Sequence, residues 1–243
     1  MVNRVSGALA LRAMRSAFLT RSLFGLGVVP LPKGDRYFDS ATLALRHTLR
    51  QGDWQVQRVL EIGTGGNALL ARWMSERMGW EVAATELDRA VAERARNCVR
   101  QLASGPVEVH QGSFFADVQE PLDLVVFNPP FVPSSTAAER GLPKALRTQW
   151  DGGPDGTVVL TNFLAAYSAR ATQAEALLAV NLKHVSAALV EQRLVRFPNL
   201  RLMGWYAPPR TPAQVAHIAR APEPHSGTPS AAEKILGGQE PRN

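Results

Sequence analysis

The feature that most constrains the fold is a repeated alternation of short apolar runs with longer segments of helical periodicity, which begins at residue 58. Strands that alternate with helices in this way form a mostly parallel sheet with helices on both of its faces. The apolar runs predict five strands at 58–63, 81–87, 107–112, 122–127 and 176–182, followed by an antiparallel pair at 200–206 and 214–219. The helical segments lie at 67–78, 88–102, 157–172 and 185–195. The sequence therefore predicts an α/β fold built on a seven-stranded sheet.

The chain is long enough for one such domain and little else. Its 243 residues are 45% hydrophobic, which suffices for one two-sided α/β core. We assign that domain to residues 35–220, place a basic helical extension at 1–34, and expect the Pro-, Ser- and Gly-rich tail at 221–243 to be disordered. The extension has no acidic residue, so its composition resembles a transit peptide. A helical stripe of Leu11, Met14 and Phe18 favours instead a helix that packs on the domain.

Composition narrows the classes of partner and site. The net charge of +6 favours an anionic partner such as RNA or DNA, although such a charge also serves solubility alone. The single cysteine, Cys98, shares a predicted helix face with Val91, Ala95 and Leu102, which indicates a core position. The histidines lack the close spacing of zinc ligands, so we expect no metal site. No apolar run approaches the roughly 20 residues that cross a bilayer, and we expect a cytoplasmic protein without membrane contact.

A glycine-rich turn follows Glu61 and joins the first predicted strand to the first predicted helix. Glycines at this place let backbone amides approach a nucleotide, so Gly63, Thr64 and Gly65 are predicted to bind a cofactor. Together with Ala68, the turn also fits the G-x-G-x-x-A dinucleotide fingerprint, and a nicotinamide-dependent oxidoreductase is therefore an alternative. A carboxylate at Glu61 suits a cationic sulfonium or ammonium group better than a pyrophosphate. This favours S-adenosylmethionine as the cofactor.

The ends of the next two strands supply further candidates for the cofactor pocket. Glu86 ends the second strand, where its carboxylate can accept both hydroxyls of a ribose, and Leu87 lies beside it. Asp88 is an alternative ribose ligand, although capping of the following helix explains it equally well. Ser113 and Phe114 follow the third strand, in position to contact an adenine by hydrogen bonding and by packing.

The fourth predicted strand ends in the motif Asn128-Pro129-Pro130-Phe131. Two prolines cannot continue a central strand, so the chain turns out of the sheet at an edge where α/β proteins bind ligands. The side-chain oxygen of Asn128 and the carbonyl of Pro129 can each accept one hydrogen of a planar NH₂ group, which would aim its nitrogen at a methyl donor. Pro130 stiffens that carbonyl, and Phe131 offers a flat face for stacking. We therefore predict these four residues as catalytic, and Asn128 also as a residue of the cofactor pocket.

Taken together, these segments resemble the HemK-type glutamine methyltransferases over about residues 35–220. The resemblance is carried by Glu61-Ile62-Gly63-Thr64-Gly65, Thr85-Glu86, Asn128-Pro129-Pro130-Phe131, Gly152-Gly153-Pro154-Asp155-Gly156 and the upstream segment Tyr37-Phe38-Asp39-Ser40. It implies the Rossmann-like fold of class I methyltransferases, S-adenosylmethionine as cofactor, and Asp39 and Ser40 against that cofactor. It also implies a protein substrate, the glutamine of the Gly-Gly-Gln motif of translation release factors.

The chain differs from that family pattern at three positions. Asn67 stands where a third glycine is usual, Ser113 where an acid is usual, and Phe131 where tyrosine is usual. A phenylalanine there is similar to the motif of some ribosomal RNA guanine and adenine methyltransferases. We therefore predict methyl transfer to a planar nitrogen, first a glutamine amide in a protein. The alternatives are an amino group of an RNA or DNA base and then a small molecule.

Overall fold

A computed structural model of the chain describes residue 9 and residues 11–221 apart from 33, 34, 104, 140–148, 171 and 210. The strands are β1 (Arg58–Ile62), β2 (Glu81–Glu86), β3 (Val107–Gln111), β4 (Leu124–Phe127), β5 (Glu175–Asn181), β6 (Leu200–Tyr206) and β7 (Ala213–Arg220). The helices are α1 (Ala17–Phe24), α2 (Ser40–Gln51), α3 (Leu69–Met78), α4 (Arg89–Leu102), α5 (Ser134–Glu139), α6 (Val158–Ala169) and α7 (Ala187–Leu194).

All seven strands form one sheet in the order β3-β2-β1-β4-β5-β7-β6. The first five strands are parallel to one another, and β7 pairs antiparallel with both β5 and β6. The order reverses between β1 and β4, which are neighbours although two strands separate them in the chain. Because crossovers between parallel strands are right-handed, α3 and α4 lie on one face and α6 on the other. The predicted α/β architecture and its closing antiparallel pair are confirmed.

The neighbouring strands β1, β4 and β5 form the interior of the sheet. The apolar side chains of these three strands are buried, as expected for parallel strands covered on both faces. A buried charged residue, Glu61, lies one position before the end of β1. Cys98 is also buried, as predicted, on an α4 face shared with Ala92 and Ala95. Within the described residues, no helix is long and apolar enough to span a bilayer.

The predicted strands and helices between residues 58 and 220 are all present, with ends that differ by at most three residues. Helix α3 begins at Leu69 rather than at 67 because Ala68 adopts a left-handed conformation with φ of +43°. Strand β4 begins at Leu124 rather than at 122 because the Asp123 carboxylate accepts the backbone N–H groups of Gln57 and Arg58, each at 2.8 Å. Helix α5 was not predicted, and the tail beyond Ala221 lies outside the described residues.

The segment before the domain is tied to its surface by polar contacts with backbone carbonyls. Arg77 donates to the carbonyl of Gly25 at 2.6 Å, and Arg72, which is 1% exposed, donates to that of Gly27 at 3.0 Å. The predicted packing stripe is wrong in part, because Phe18 is 78% exposed. The buried residues of α1 are Thr20 and Phe24, so the helix presents a different face to the domain.

The turn at residues 150–156, just before α6, contacts the backbone that follows the Asn-Pro-Pro-Phe motif. Val132 donates its N–H to the carbonyl of Trp150 at 2.8 Å and accepts from the N–H of Gly152 at 2.9 Å. Gly156 has a φ of +81°, and a Cβ at this position would overlap the backbone carbonyl of Phe131. The sequence predicted a turn before a helix here, but not its contact with the motif. Gly156 allows that close backbone approach.

We predict that Gly156→Ala destabilises the protein more than Gly79→Ala does. Gly79 has a similar φ of +75°, but a Cβ there would meet nothing within 4 Å. Gly79→Ala should therefore cost about 1 kcal/mol, the usual price of a left-handed alanine. Gly156→Ala should cost roughly 1–3 kcal/mol more, because the backbone has to move. Urea unfolding followed by circular dichroism measures both, and equal losses would contradict the close approach.

Candidate active site

The glycine turn and the Asn-Pro-Pro-Phe motif leave adjacent strands at the same edge of the sheet. Ile62 at the end of β1 pairs with Phe127 at the end of β4, so Gly63 and Asn128 both follow directly at that edge. The carboxyl ends of parallel strands are where such sheets bind ligands, especially where the strand order reverses. The predicted cofactor turn and the predicted catalytic motif therefore lie side by side at this edge. The region between Gly63 and Asn128 is called the mouth of the site below.

The glycine turn is shaped by left-handed glycines and by the end of β2. Gly63 and Gly65 have φ values of +70° and +67°. The N–H groups of Gly63 and Thr64 donate to the carbonyl of Thr85 at 2.8 and 3.1 Å, which fixes the turn against β2. A Cβ at Gly65 would meet nothing within 4 Å, so the turn has open space in front of it. Such a turn can take a ligand close to its backbone.

Glu61 lies buried under this turn and holds it from below. Thr64 donates its hydroxyl to the Glu61 carboxylate at 2.6 Å. Burial raises the pKa of Glu61 to about 7, although the hydrogen bond from Thr64 acts in the opposite direction. The carboxyl group therefore changes charge near neutral pH, and a bound cation would favour its ionised form.

Glu86 closes the other side of the turn. One oxygen of its carboxylate accepts from the N–H of Gly65 and the other from the N–H of Asp88, both at 3.1 Å. Burial raises the pKa of Glu86 above its ordinary value. Each carboxylate oxygen retains a lone pair for a further donor, as two ribose hydroxyls would require. Asp88 caps α4 through the N–H of Val91, so its own carboxylate serves the helix.

The remaining predicted cofactor residues lie at the ends of β2 and β3. Leu87 is 69% exposed, and Ser113 is also exposed. Phe114 has a φ of +51°, and its carbonyl accepts from the Thr85 hydroxyl at 2.8 Å. Its ring packs edge-on against Phe127, with 6.1 Å between ring centroids. Contact between these residues and an adenine remains a prediction.

Asn128 presents an oriented amide at the end of β4. Its side-chain nitrogen donates to Asp39 at 3.1 Å and to the Thr42 hydroxyl at 3.4 Å. Because a carboxylate can only accept, Asp39 fixes which end of the amide is the nitrogen. The side-chain oxygen of Asn128 is buried and has no hydrogen-bond partner among the described residues. A buried acceptor without a hydrogen bond destabilises the folded protein unless a ligand donates to it.

Asp39 is the N-cap of α2, and it connects the cap to the motif. The N–H of Thr42 donates to one of its oxygens at 2.9 Å, and Arg36 lies 3.1 Å from the other. Burial acts to raise the pKa of Asp39, but Arg36 together with hydrogen bonds from Thr42 and Asn128 holds it below its ordinary value. The resemblance implied that Asp39 lies against the cofactor. The structure gives it a contact to Asn128, so that it orients the amide, and its contact with a cofactor remains a prediction.

Ser40 has contacts different from those of its neighbour. Asn181, at the end of β5, donates its side-chain nitrogen to the Ser40 hydroxyl at 3.2 Å. The backbone carbonyl of Ser40 accepts from the hydroxyl of Thr211 at 3.4 Å. Ser40 therefore ties the start of α2 to β5 and to the segment before β7. A contact between Ser40 and a cofactor remains a prediction.

The Phe131 side chain is largely buried, which the sequence did not indicate. Pro129 is buried, Pro130 is half-buried and Phe131 is only 8% exposed. The Phe131 ring stacks on His184, with 6.1 Å between centroids and 25° between planes. Stacking of a planar substrate on Phe131 remains a prediction. The close packing of the backbone of Phe131 on Gly156 helps to keep this residue inside the protein.

Three residues near the mouth were missed by sequence reasoning. Asn67 exchanges two hydrogen bonds with the backbone of Val29, at 3.0 and 3.4 Å. The guanidinium of Arg36 lies 4.4 Å from the ring centroid of Trp150, whose Nε1 is buried without a partner among the described residues. The departure of Asn67 from the family pattern was a signal for the first contact. No local pattern indicates the pairing of Arg36 with Trp150.

The arrangement can hold a nucleotide cofactor and a small planar amide at one edge of the sheet. No group of three or more His, Cys, Asp or Glu residues in the described part of the chain is arranged to bind a metal ion. The polar groups at the mouth are carboxylates, backbone amides and one oriented amide oxygen. These groups suit binding and orientation.

Comparison with protein families and with known proteins agrees with this geometry. The family model of the methyltransferase small domain matches residues 34–184. The release factor glutamine methyltransferase of Gloeobacter violaceus is 31% identical over 147 residues, which cover 57% of this chain and 50% of that protein. The ribosomal RNA small subunit methyltransferase C of Chromohalobacter salexigens is 41% identical over 81 residues, covering 33% and 23%. The chain spans half or less of the length of these curated relatives.

Solved structures show the same fold at low sequence identity. A methyltransferase from Pyrococcus furiosus has a TM-score of 0.62 at 18% identity, covering 90% of this chain and 98% of its own. The hMettl16 catalytic domain in complex with a MAT2A 3′UTR hairpin has a TM-score of 0.61 at 19% identity, covering 87% and 81%. The chain therefore belongs to the methyltransferase small domain family of S-adenosylmethionine-dependent enzymes, and its sheet is the Rossmann-like sheet of class I methyltransferases.

Proposed function

We propose that this protein transfers the methyl group of S-adenosylmethionine to a planar nitrogen, and that the acceptor is a glutamine side-chain amide in a protein such as a translation release factor. The observation that carries the proposal is the Asn128 amide. Its nitrogen is held by Asp39, and its oxygen is buried beside the glycine turn without a partner in the part of the chain that the structure describes. An acceptor oxygen in this position matches one hydrogen of an incoming NH₂ group.

The residues at the mouth fit the cofactor. The open glycine turn and the remaining lone pairs of Glu86 suit the ribose and the atoms next to it, and Glu61 supplies negative charge under the turn. When bound, S-adenosylmethionine supplies an electrophilic methyl group on a sulfonium. A pyrophosphate would meet the carboxylate of Glu61 at the same turn. This disfavours the nicotinamide alternative, because two anions would then face each other.

Asn128 and Pro129 would act by orientation. The lone pair of an amide nitrogen is delocalised, and such a nitrogen attacks only when its geometry is fixed. The Asn128 oxygen would accept one N–H of the acceptor and the Pro129 carbonyl the other. Asp39 prevents the Asn128 amide from turning over, because it occupies the nitrogen of that amide. The amide nitrogen can lose its proton after attack, so this arrangement requires no general base.

The choice of a glutamine amide is supported by the alignment to release factor glutamine methyltransferase, which extends over 57% of this chain. An amino group of an RNA base is the second candidate. The shorter alignment to ribosomal RNA small subunit methyltransferase C and the net charge of +6 favour it. The two candidates share the requirement for an oriented planar NH₂ group.

Transfer of label separates the two acceptors. The purified protein is incubated with methyl-labelled S-adenosylmethionine and, separately, with release factors, ribosomal RNA and DNA. We expect label in the release factor, located on a glutamine by mass spectrometry. Label in RNA alone would overturn the glutamine proposal, and binding of NAD without binding of S-adenosylmethionine would overturn methyl transfer altogether.

We predict that Asn128→Ala lowers kcat about a hundredfold or more while the Kd of S-adenosylmethionine stays within about threefold. The substitution removes a preorganised hydrogen bond to the acceptor and leaves the glycine turn intact. Isothermal titration gives the Kd and the labelling assay gives kcat. Asp39→Asn provides a matched comparison, since it releases the Asn128 amide without removing it, and it should lower kcat to a smaller extent. Equal losses of binding and turnover in Asn128→Ala would assign Asn128 to the cofactor pocket.

We predict that S-adenosylmethionine binds more tightly as pH rises through about 7. Glu61, whose pKa burial raises to about 7, is protonated below this pH and ionised above it. A cationic ligand favours the ionised form, so binding releases a proton and the Kd falls by up to about tenfold per pH unit below the pKa. The Kd is measured from acidic to mildly alkaline pH. Glu61→Gln should abolish this part of the pH dependence; an unchanged profile would contradict the role of Glu61.

A further inference from the structure

Two buried polar atoms near the mouth lack hydrogen-bond partners among the described residues, and they have opposite character. The side-chain oxygen of Asn128 can only accept, and the indole Nε1 of Trp150 can only donate. Most buried polar groups in folded proteins are paired. An unpaired acceptor and an unpaired donor in one region would both be satisfied by a ligand that carries a donor and an acceptor.

A short chain of contacts places the two residues in one cluster. Arg36 stacks on the ring of Trp150, at 4.4 Å from the guanidinium carbon to the centroid, and donates to Asp39 at 3.1 Å. Asp39 in turn accepts from Asn128 at 3.1 Å. The backbone gives a second link, because the Trp150 carbonyl accepts from the N–H of Val132, close after the motif. Asn128 and Trp150 are thus linked through the Arg36–Asp39 ion pair.

We propose that Trp150 is a specificity-determining residue, whose indole N–H donates to the carbonyl oxygen of a primary carboxamide while the Asn128 oxygen accepts an N–H of the same group. This inference rests on the proposed function and deepens it. A carboxamide carries a donor and an acceptor on neighbouring atoms, which complements the two unpaired groups. Trp150 would therefore select the acceptor, and Asn128 would orient its nitrogen.

The packing of the motif favours a carboxamide over a nucleobase. Proteins that select unpaired bases usually stack them on an exposed aromatic face. Here the Phe131 ring is 8% exposed and stacks on His184. One face of Trp150 is covered by Arg36. A carboxamide is small and is recognised through its two polar atoms, so it needs no such platform.

The first test separates the N–H group from the ring that carries it. Trp150→Phe keeps an aromatic ring under Arg36 and removes the donor. We expect it to raise the KM of the release factor about tenfold, the effect of one lost hydrogen bond, with kcat changed less than about threefold and the Kd of S-adenosylmethionine unchanged. Trp205→Phe is the matched control, because the Trp205 indole donates to Glu191 at 3.0 Å, outside the cluster, and its loss should leave KM unaltered. An unchanged KM in Trp150→Phe would overturn the proposal.

The second test needs no turnover, so it remains decisive if the proposed methyl transfer fails. The chain has five tryptophans, and the indole N–H resonance of Trp150 is identified by its disappearance in Trp150→Phe. The full-length protein, saturated with S-adenosylhomocysteine, is titrated with N-acetylglutamine methylamide, with its glutamate counterpart and with adenosine. We expect the Trp150 resonance to shift with the glutamine compound only. A shift with adenosine instead would assign the pocket to a base, and no shift with any compound would also overturn the inference.

Discussion

The site depends on the pairing of β1 with β4. Their register sets Ile62 opposite Phe127, so Gly63 and Asn128 emerge next to each other where the strand order reverses. Every later feature of the mouth uses this adjacency. The glycine turn can rest on Thr85 of the neighbouring β2, and the motif can lie against Asp39, only because both leave the same edge of the sheet. A slip of one residue would reverse the faces of β4 and remove the Asn128 amide from the mouth.

Three carboxylates surround this edge in different electrostatic states. Asp39 is held ionised by Arg36 and by the hydrogen bonds it accepts, and it orients Asn128. Glu61 is buried under the turn with a pKa of about 7, and Glu86 is partly buried with one backbone N–H on each oxygen. Asp39 and Glu61 are similarly buried, so the ion pair with Arg36, rather than depth, separates their charge states. Asp39 keeps its charge, whereas Glu61 changes charge near neutral pH.

Sequence reasoning found the elements of the fold because parallel strands and their helices leave local signatures. The glycine turn, Glu86 and Asn128 became candidates for the same reason, since Glu86 ends a strand and the other two follow one directly. The low exposure of Phe131 was not predicted, because it depends on Gly156 and His184, far along the chain. The contact of Trp150 with Arg36 and the contact of Asn67 with Val29 were also missed. Each joins segments more than 35 residues apart, as the 38-residue separation of Asn67 from Val29 illustrates, and no periodicity encodes such pairs.

The backbone of residues 25–29 is held on the domain by three side chains, and this affects how the glycine turn opens locally. The carbonyls of Gly25, Gly27 and Val29 are captured in turn by Arg77, Arg72 and Asn67. Asn67 also belongs to the glycine turn, so detaching this stretch of backbone removes a restraint on the turn itself. The two should open as one cooperative unit in native-state hydrogen exchange. A ligand seated on the turn would then slow amide exchange near Val29, although no atom of the ligand need touch that residue.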